Sequence, residues 1–154
     1  MATFKGAVVI VSEEEILALR GYKFPGGVRK IEHWENWLLT DCTTAEQLPD
    51  ALVHPIALFH VPIQGSGLSI SELFSLGQVN GAGSVGLDGY DWEYFHPLKE
   101  SIPYQCQGEI IDVERIETDN GRIYDRFVFS IDLSTESGLL VARVTNYWRL
   151  WRKR

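Results

Sequence analysis

The sequence predicts an α+β domain in which an antiparallel sheet wraps around one long central helix. Three observations predict it. Residues 55–77 are apolar on nearly every side, the mark of a helix buried all round. Residues 85–151 read as long strands separated by turn signals. A sheet built from those strands must bury one face, and 55–77 is the apolar element long enough to lie across it.

The elements follow in order. Ser12-Glu13-Glu14-Glu15 has the form of a capping box opening a short helix through Ile16, Leu17 and Leu19, which Gly21 stops. Pro25-Gly26-Gly27 is a turn. Residues 28–40 stay open between two readings. Trp34, Trp37 and Leu38 suit a helical face, while Ile31, His33, Glu35 and Trp37 alternate as one side of a strand. Pro55 suits the first position of the central helix, where no N–H is required. Pro62 and the Gly65-Ser66-Gly67 step are expected to kink that helix or split it into 55–64 and 68–77.

The strands come next. Val85 to Tyr94 is the first, ended by His96-Pro97, and Tyr104 to Glu117 is the second. Thr118-Asp119-Asn120-Gly121 then predicts a hairpin with a type I′ turn. Residues 122–134 send Phe127, Phe129, Ile131 and Leu133 to one face. After Ser137-Gly138, residues 139–151 send Leu140, Ala142, Val144, Trp148 and Leu150 to one face. Consecutive hairpins predict a meander. Trp148 and Trp151 on opposite faces predict that a second subunit partly covers the outer surface.

At 154 residues the chain is expected to be a single domain, 1–154, with no linker or internal repeat. Its 45% apolar and 23% charged composition is globular. The net charge of −7 argues against nucleic acid as the main partner, since phosphate binding needs a basic footprint. No apolar run is long enough to span a membrane. Met1 to Gly6 is followed by five apolar residues and then glutamates, so no signal peptide is expected and the location reads as cytoplasmic. Cys42 and Cys106 fit no metal spacing and read as reduced thiols; no metal site is expected.

Known catalytic signatures are sparse. Gly81-Ala82-Gly83-Ser84-Val85-Gly86 fits GxGxxG, but a helix precedes it and a strand follows, the reverse of a dinucleotide site. The sequence has no GxSxG elbow. Of four histidines, His33 reads as surface and His96 as a strand end. His60 suits a core position. His54 immediately precedes a helix start, where free N–H groups can meet an oxyanion. Asp88 and Asp91 flank Tyr90 beside Trp92, a group that can line a pocket or simply start a strand.

Two segments resemble the hot-dog-fold MaoC-like hydratases and dehydratases, which act on enoyl thioesters. The first is Leu38-Leu39-Thr40-Asp41 followed by Leu52-Val53-His54-Pro55-Ile56-Ala57-Leu58. It is similar to the family's Asp-bearing loop and the start of its central helix. The second is Tyr94-Phe95-His96-Pro97-Leu98 with the later hairpins, ending Gly138-Leu139-Leu140-Val141-Ala142-Arg143-Val144-Thr145-Asn146. The resemblance implies a hot-dog fold, an acyl-coenzyme A or acyl-carrier thioester as ligand, and no cofactor beyond the coenzyme A of the substrate. It also implies a homodimer, or a heterodimer with another hot-dog chain. Two departures stand out. After Asp41, which matches the family's aspartate, Cys42-Thr43-Thr44-Ala45-Glu46 lacks the family's Asn and His. Where the family has a glycine N–H to polarise the thioester carbonyl, this chain has Pro55. Both features resemble the degenerate half of two-half hydratases.

Three readings follow. The first is an enoyl-thioester hydratase or dehydratase subunit that shapes the acyl site beside a catalytic partner. The second is a self-sufficient hydratase or thioesterase using Asp41 or Asp88 with His54 or His60. The third is a non-enzymatic acyl-CoA or hydrophobic-ligand binding module. The candidate catalytic residues are Asp41, His54, His60 and Asp88; the candidate acyl-site residues are Phe59, Ile63, Gly65, Gly67, Phe74 and Trp92. The Gly65-Ser66-Gly67 break is expected to leave room for a bulky acyl group. Lys99, Arg115, Arg122, Arg126, Arg143, Arg149 and Arg152-Lys153-Arg154 are the cations available to coenzyme A phosphates.

Overall fold

The computed structural model describes residues 11–152. The sequence readings at residues 1–10 and at Lys153 and Arg154 lie outside that range. Helix α1 (Glu13–Leu17) leads to β1 (Gly27–Lys30) and α2 (His33–Cys42). A 3₁₀ turn (Pro55–Phe59), α3 (Val61–Gly65) and α4 (Ile70–Leu76) follow. Four long strands complete the chain: β2 (Val85–Tyr94), β3 (Pro103–Glu117), β4 (Ile123–Ser134) and β5 (Leu140–Trp151). No helix among the described residues is long and apolar enough to cross a membrane.

All strand pairs are antiparallel, in the order β1-β3-β4-β5-β2. The expected simple meander therefore holds only for β3-β4-β5. Strand β2 crosses to the far edge and pairs with β5, while β1 takes the other edge beside β3. The β3–β4 connection also differs from a two-residue type I′ turn. Only Gly121 has positive φ (+72°), and the Thr118 N–H donates to the Arg122 carbonyl while the Gly121 N–H donates to the Thr118 carbonyl. This is a three-residue loop with a glycine bulge.

The inner face of the sheet carries Phe127, Phe129, Ile131 and Leu133, each fully buried, opposite Trp148, Val144 and Ala142 of β5. Phe129 meets the Trp148 ring edge-on at 5.0 Å. Phe24 lies flat on Gly108, where any side chain would collide with the ring. The 55–77 segment packs on this face, but in three short pieces rather than as one long rod. Pro62 is accommodated in the first turn of α3, where the missing N–H costs nothing. One interruption falls within the expected Gly65-Ser66-Gly67 step, at Gly67 (φ +80°), and the other at His60 (φ −133°) rather than at Pro62.

A capping box does form, though at a different helix. Ser69 Oγ accepts from the Glu72 N–H at 3.2 Å, and Glu72 Oε2 accepts from the Ser69 N–H at 2.7 Å. Ser12, by contrast, makes no side-chain cap to α1. Residues 28–40 contain both structures that the sequence left open, a four-residue strand and then a helix. Helix α2 is amphipathic in reverse. Glu35, Asn36 and Thr40 face inward, while Trp34, Trp37 and Leu38 are exposed.

The outer face of the sheet is laced with charge pairs. Arg143 pairs with Asp132 at 2.6 Å, Arg126 with Asp112 at 2.9 Å, and Arg149 with Asp88 at 3.1 Å. Trp151 lies under the Arg122 guanidinium at 4.0 Å. The chain's own Arg122 thus covers part of the outer Trp. Arg115 and Arg152 converge on Asp125, which is fully buried. Most of the cations considered for coenzyme A phosphates are already engaged in these contacts.

Candidate functional site

The four candidate catalytic residues do not converge. Asp41 is at the exposed C-terminal end of α2. His54 is half-buried and used locally: its Nδ1 accepts from the Ile56 N–H at 3.2 Å, and its backbone N–H donates to Asn36 Oδ1 at 2.9 Å. Asp88 sits on the bulge of β2 and pairs with Arg149. No hydrogen bond links Asp41 to either histidine among the described residues. Of the four, His60 lines a cavity in the fold.

That cavity, of about 430 Å³, lies between the α3–α4 segment and the β2–β5 edge of the sheet. Its size is ordinary for a small-molecule site. Phe59, Ile63 and Phe74, expected from the sequence, line it together with Ile70, Tyr90 and Trp148. Phe59 packs against Tyr90 at 5.2 Å, and Phe74 against Trp148 at 5.9 Å. Burial raises the Tyr90 phenol above its ordinary value, so it remains a neutral hydroxyl.

Gly65, Gly67 and Trp92 are placed elsewhere. Gly65 abuts Cys106 and Arg29, and Gly67 abuts Pro25 and the Gly26 backbone. The room expected at the glycine break is filled by the chain's own β1 turn and β3. The glycines are there so that two backbones can touch. Trp92 packs at the border of the core, outside the cavity lining, with a buried indole N–H.

The polar end of the cavity is His60 with Gln64, and behind them stand two residues that sequence reasoning missed. Glu35 is 7% exposed. Its Oε1 accepts from Arg29 Nη2 at 2.5 Å and lies 3.9 Å from His60 Nε2, while its Oε2 has no partner among the described residues. Arg29 also donates to Gln64 Oε1, from Nε at 3.3 Å and Nη2 at 3.1 Å. Burial holds the His60 imidazole below its usual value; Glu35 opposes that effect and Arg29 reinforces it. The ring is therefore neutral near pH 7, beside a carboxylate able to stabilise its protonated form. The signal for Glu35 was present in the alternation of residues 28–40, but only the inverted helix turns this residue inward.

Among the described residues, no group of three His, Cys, Asp or Glu side chains is arranged to hold a metal ion. The stretch that fits GxGxxG is a 3₁₀ turn at Ala82–Ser84 leading into β2, a connection between helix and strand.

The sequence matches no family model and no curated protein. Solved structures do match. The chain is similar to a subunit of the ChsH1–ChsH2 complex from Mycobacterium tuberculosis, at TM-score 0.68 and 12% identity, over 92% of this chain and 89% of that one. It is similar to a chain of the C-terminally truncated HadBC (3R-hydroxyacyl-ACP dehydratase) complex from the same organism. There the TM-score is 0.65 at 12% identity, over 85% of this chain and 96% of the other. A MaoC-like dehydratase from Phytophthora capsici gives 0.62 at 9% identity over 92% of this chain, but only 49% of its own length. The fold is thus the hot-dog fold, shared with these structures at 9–12% sequence identity.

Proposed function

We propose that the chain binds the acyl part of an acyl thioester and serves as a subunit of an enoyl-thioester hydratase or dehydratase. The observation that carries this reading is the 430 Å³ cavity, walled by aromatic and aliphatic side chains and polar at one end, in a hot-dog fold. An apolar wall of Phe59, Ile63, Phe74 and Trp148 suits a hydrocarbon chain or ring. The polar end suits the thioester group.

The residues that the family resemblance made catalytic do not serve that role together. Asp41 is solvent-exposed, and Pro55 has no N–H to offer a carbonyl oxygen. Assembly with a second hot-dog chain supplies one way to complete the chemistry. In support, the HadBC and ChsH1–ChsH2 neighbours are complexes, and Trp34 (62% exposed) and Trp37 (48%) stand outward on α2.

Calorimetric titration with saturated acyl-CoAs of graded chain length tests the reading. Affinity should rise with each added methylene until the cavity is full, by about 0.8 kcal/mol per buried group. Ile63→Trp, which fills the cavity, should abolish that dependence. Binding that is indifferent to chain length, or untouched by Ile63→Trp, would overturn the proposal.

A further inference from the structure

The polar end of the cavity holds more than a histidine. Arg29 carries only hydrogen-bond donors, so the atom that Gln64 turns toward it must be the amide oxygen. The amide NH₂ of Gln64 is thereby turned away from Arg29. It donates to no group among the described residues, and Gln64 lines the cavity. The clamp is held in turn: Arg29 Nη1 donates to the Lys30 carbonyl at 2.8 Å, and Nη2 to buried Glu35.

His60 and Gln64 are one helical turn apart, joined by the hydrogen bond from the Gln64 N–H to the His60 carbonyl at 3.0 Å. Their side chains therefore face the same cavity. One is a fixed donor and the other a neutral imidazole. The remaining lining is apolar apart from the Tyr90 phenol and the Trp148 indole, whose buried N–H has no partner among the described residues.

We propose that His60 and Gln64 are the reacting end of this cavity, with the Gln64 amide binding the thioester carbonyl oxygen and His60 transferring the proton. Arg29 and Glu35 are positioning residues. This rests on the acyl-thioester reading above and adds that this chain carries its own chemistry.

The step balances with water as the only co-reactant. His60 takes a proton from water while the water oxygen bonds the β-carbon of the enoyl group. The electron pair of the C=C bond moves onto the α-carbon and carbonyl oxygen, where the Gln64 NH₂ holds the developing charge. The imidazolium, stabilised by Glu35, then returns its proton to the α-carbon. The thioester bond stays intact and nothing is oxidised or reduced. Dehydration is the same path reversed. Gln64 thus supplies the donor that Pro55 lacks.

The groups facing the imidazole from neighbouring elements are Glu35 on α2, Arg29 on β1 and, across the cavity, Tyr90 on β2. Tyr90 stays uncharged, so activity should fall with acid on the His60 limb alone.

The test is hydration of enoyl-CoAs by the full chain, followed by loss of the conjugated absorbance, alongside calorimetry with saturated acyl-CoA. His60→Gln should lower kcat by about 10²–10⁴ and remove the acidic limb of the pH profile. Gln64→Ala should lower kcat by about 10²–10³. Arg29→Ala should act like Gln64→Ala, with partial rescue by Arg29→Lys and an unchanged acidic limb. Gln64 is exposed, so its variant tests the assignment even where His60→Gln fails to fold. A wild-type chain that binds acyl-CoA yet hydrates nothing overturns this assignment and leaves the binding reading standing. So does turnover insensitive to both His60→Gln and Gln64→Ala. Absence of acyl-CoA binding overturns the reading beneath it.

Discussion

Asn36 Oδ1 accepts the backbone N–H of His54 at 2.9 Å, fixing helix α2 to the start of the segment that floors the cavity. The same amide donates to the Leu52 carbonyl at 3.0 Å and to Glu100 Oε1 at 2.7 Å. Asn36 is 1% exposed, so its removal leaves these partners facing a buried gap rather than bulk water. Asn36→Ala should destabilise the fold by about 2–4 kcal/mol, since each stranded buried group costs about 1–3 kcal/mol. Thermal unfolding would report this as a drop of roughly 5–15 °C. Asn36→Asp should not rescue it, because the new carboxylate would face that of Glu100. A loss within 1 °C would show that the clamp is dispensable.

This clamp shows where the sequence could be read and where it could not. Strand β2 was legible to its end residues, and β3 to β5 nearly so, because alternation along 10 to 15 residues leaves little ambiguity. Two things were not legible. Pairing order is a property of the whole sheet, and nothing in residues 85–94 tells which edge they will join. Helix α2 breaks the rule that apolar faces point inward: Trp34 and Trp37 look out while Glu35 and Asn36 look in. A buried carboxylate is costly unless it is paired, and its partner Arg29 lies on a different element, in the preceding strand. The site was half legible for the same reason. His60, Phe59, Ile63 and Phe74 stand in one apolar stretch, whereas the group that orients them is assembled from β1, α2 and α3.

At Gly65, α3 packs directly against β1 and β3. A methyl group there would collide with Cys106 Sγ and stand 3.0 Å from Arg29 Cβ. Overpacking of this kind costs about 1–3 kcal/mol. Gly65→Ala should therefore lower the denaturation midpoint at unchanged slope. In the Gly65→Ala/Cys106→Ala double variant the nearest obstacle is gone, so the loss should be smaller than the sum of the single losses. Strict additivity would mean that the two residues do not press on each other.

Asn146 is fully buried on the inner face of β5, opposite Phe129 and Tyr90, and both ends of its amide lack a partner among the described residues. Leaving one buried polar group unpaired costs about 1–3 kcal/mol. Asn146→Leu, of similar volume and without polar atoms, should raise stability by about 1–2 kcal/mol in urea unfolding. A loss of stability would instead show that the amide is satisfied by internal water and belongs to the folded core.

The two cysteines should behave in opposite ways. Cys42 is exposed at the end of α2, whereas Cys106 is buried under α3, where desolvation pushes its thiol up to about 11; Arg29 only partly offsets this. Since the thiolate is the reactive form, a disulfide reagent should titrate one thiol rapidly in the native protein and the second only in denaturant. Cys42→Ala should remove the rapid phase. The linkage runs in one direction. A raised value in the folded state means that folding favours the neutral thiol, so this stability is complete below the ordinary value of 9.0 and is lost as pH rises toward 11. Unfolding midpoints measured from neutral to alkaline pH should therefore fall more steeply for wild type than for Cys106→Ala. Equal slopes would remove Cys106 as the source, and two rapid thiols in the native state would contradict its burial.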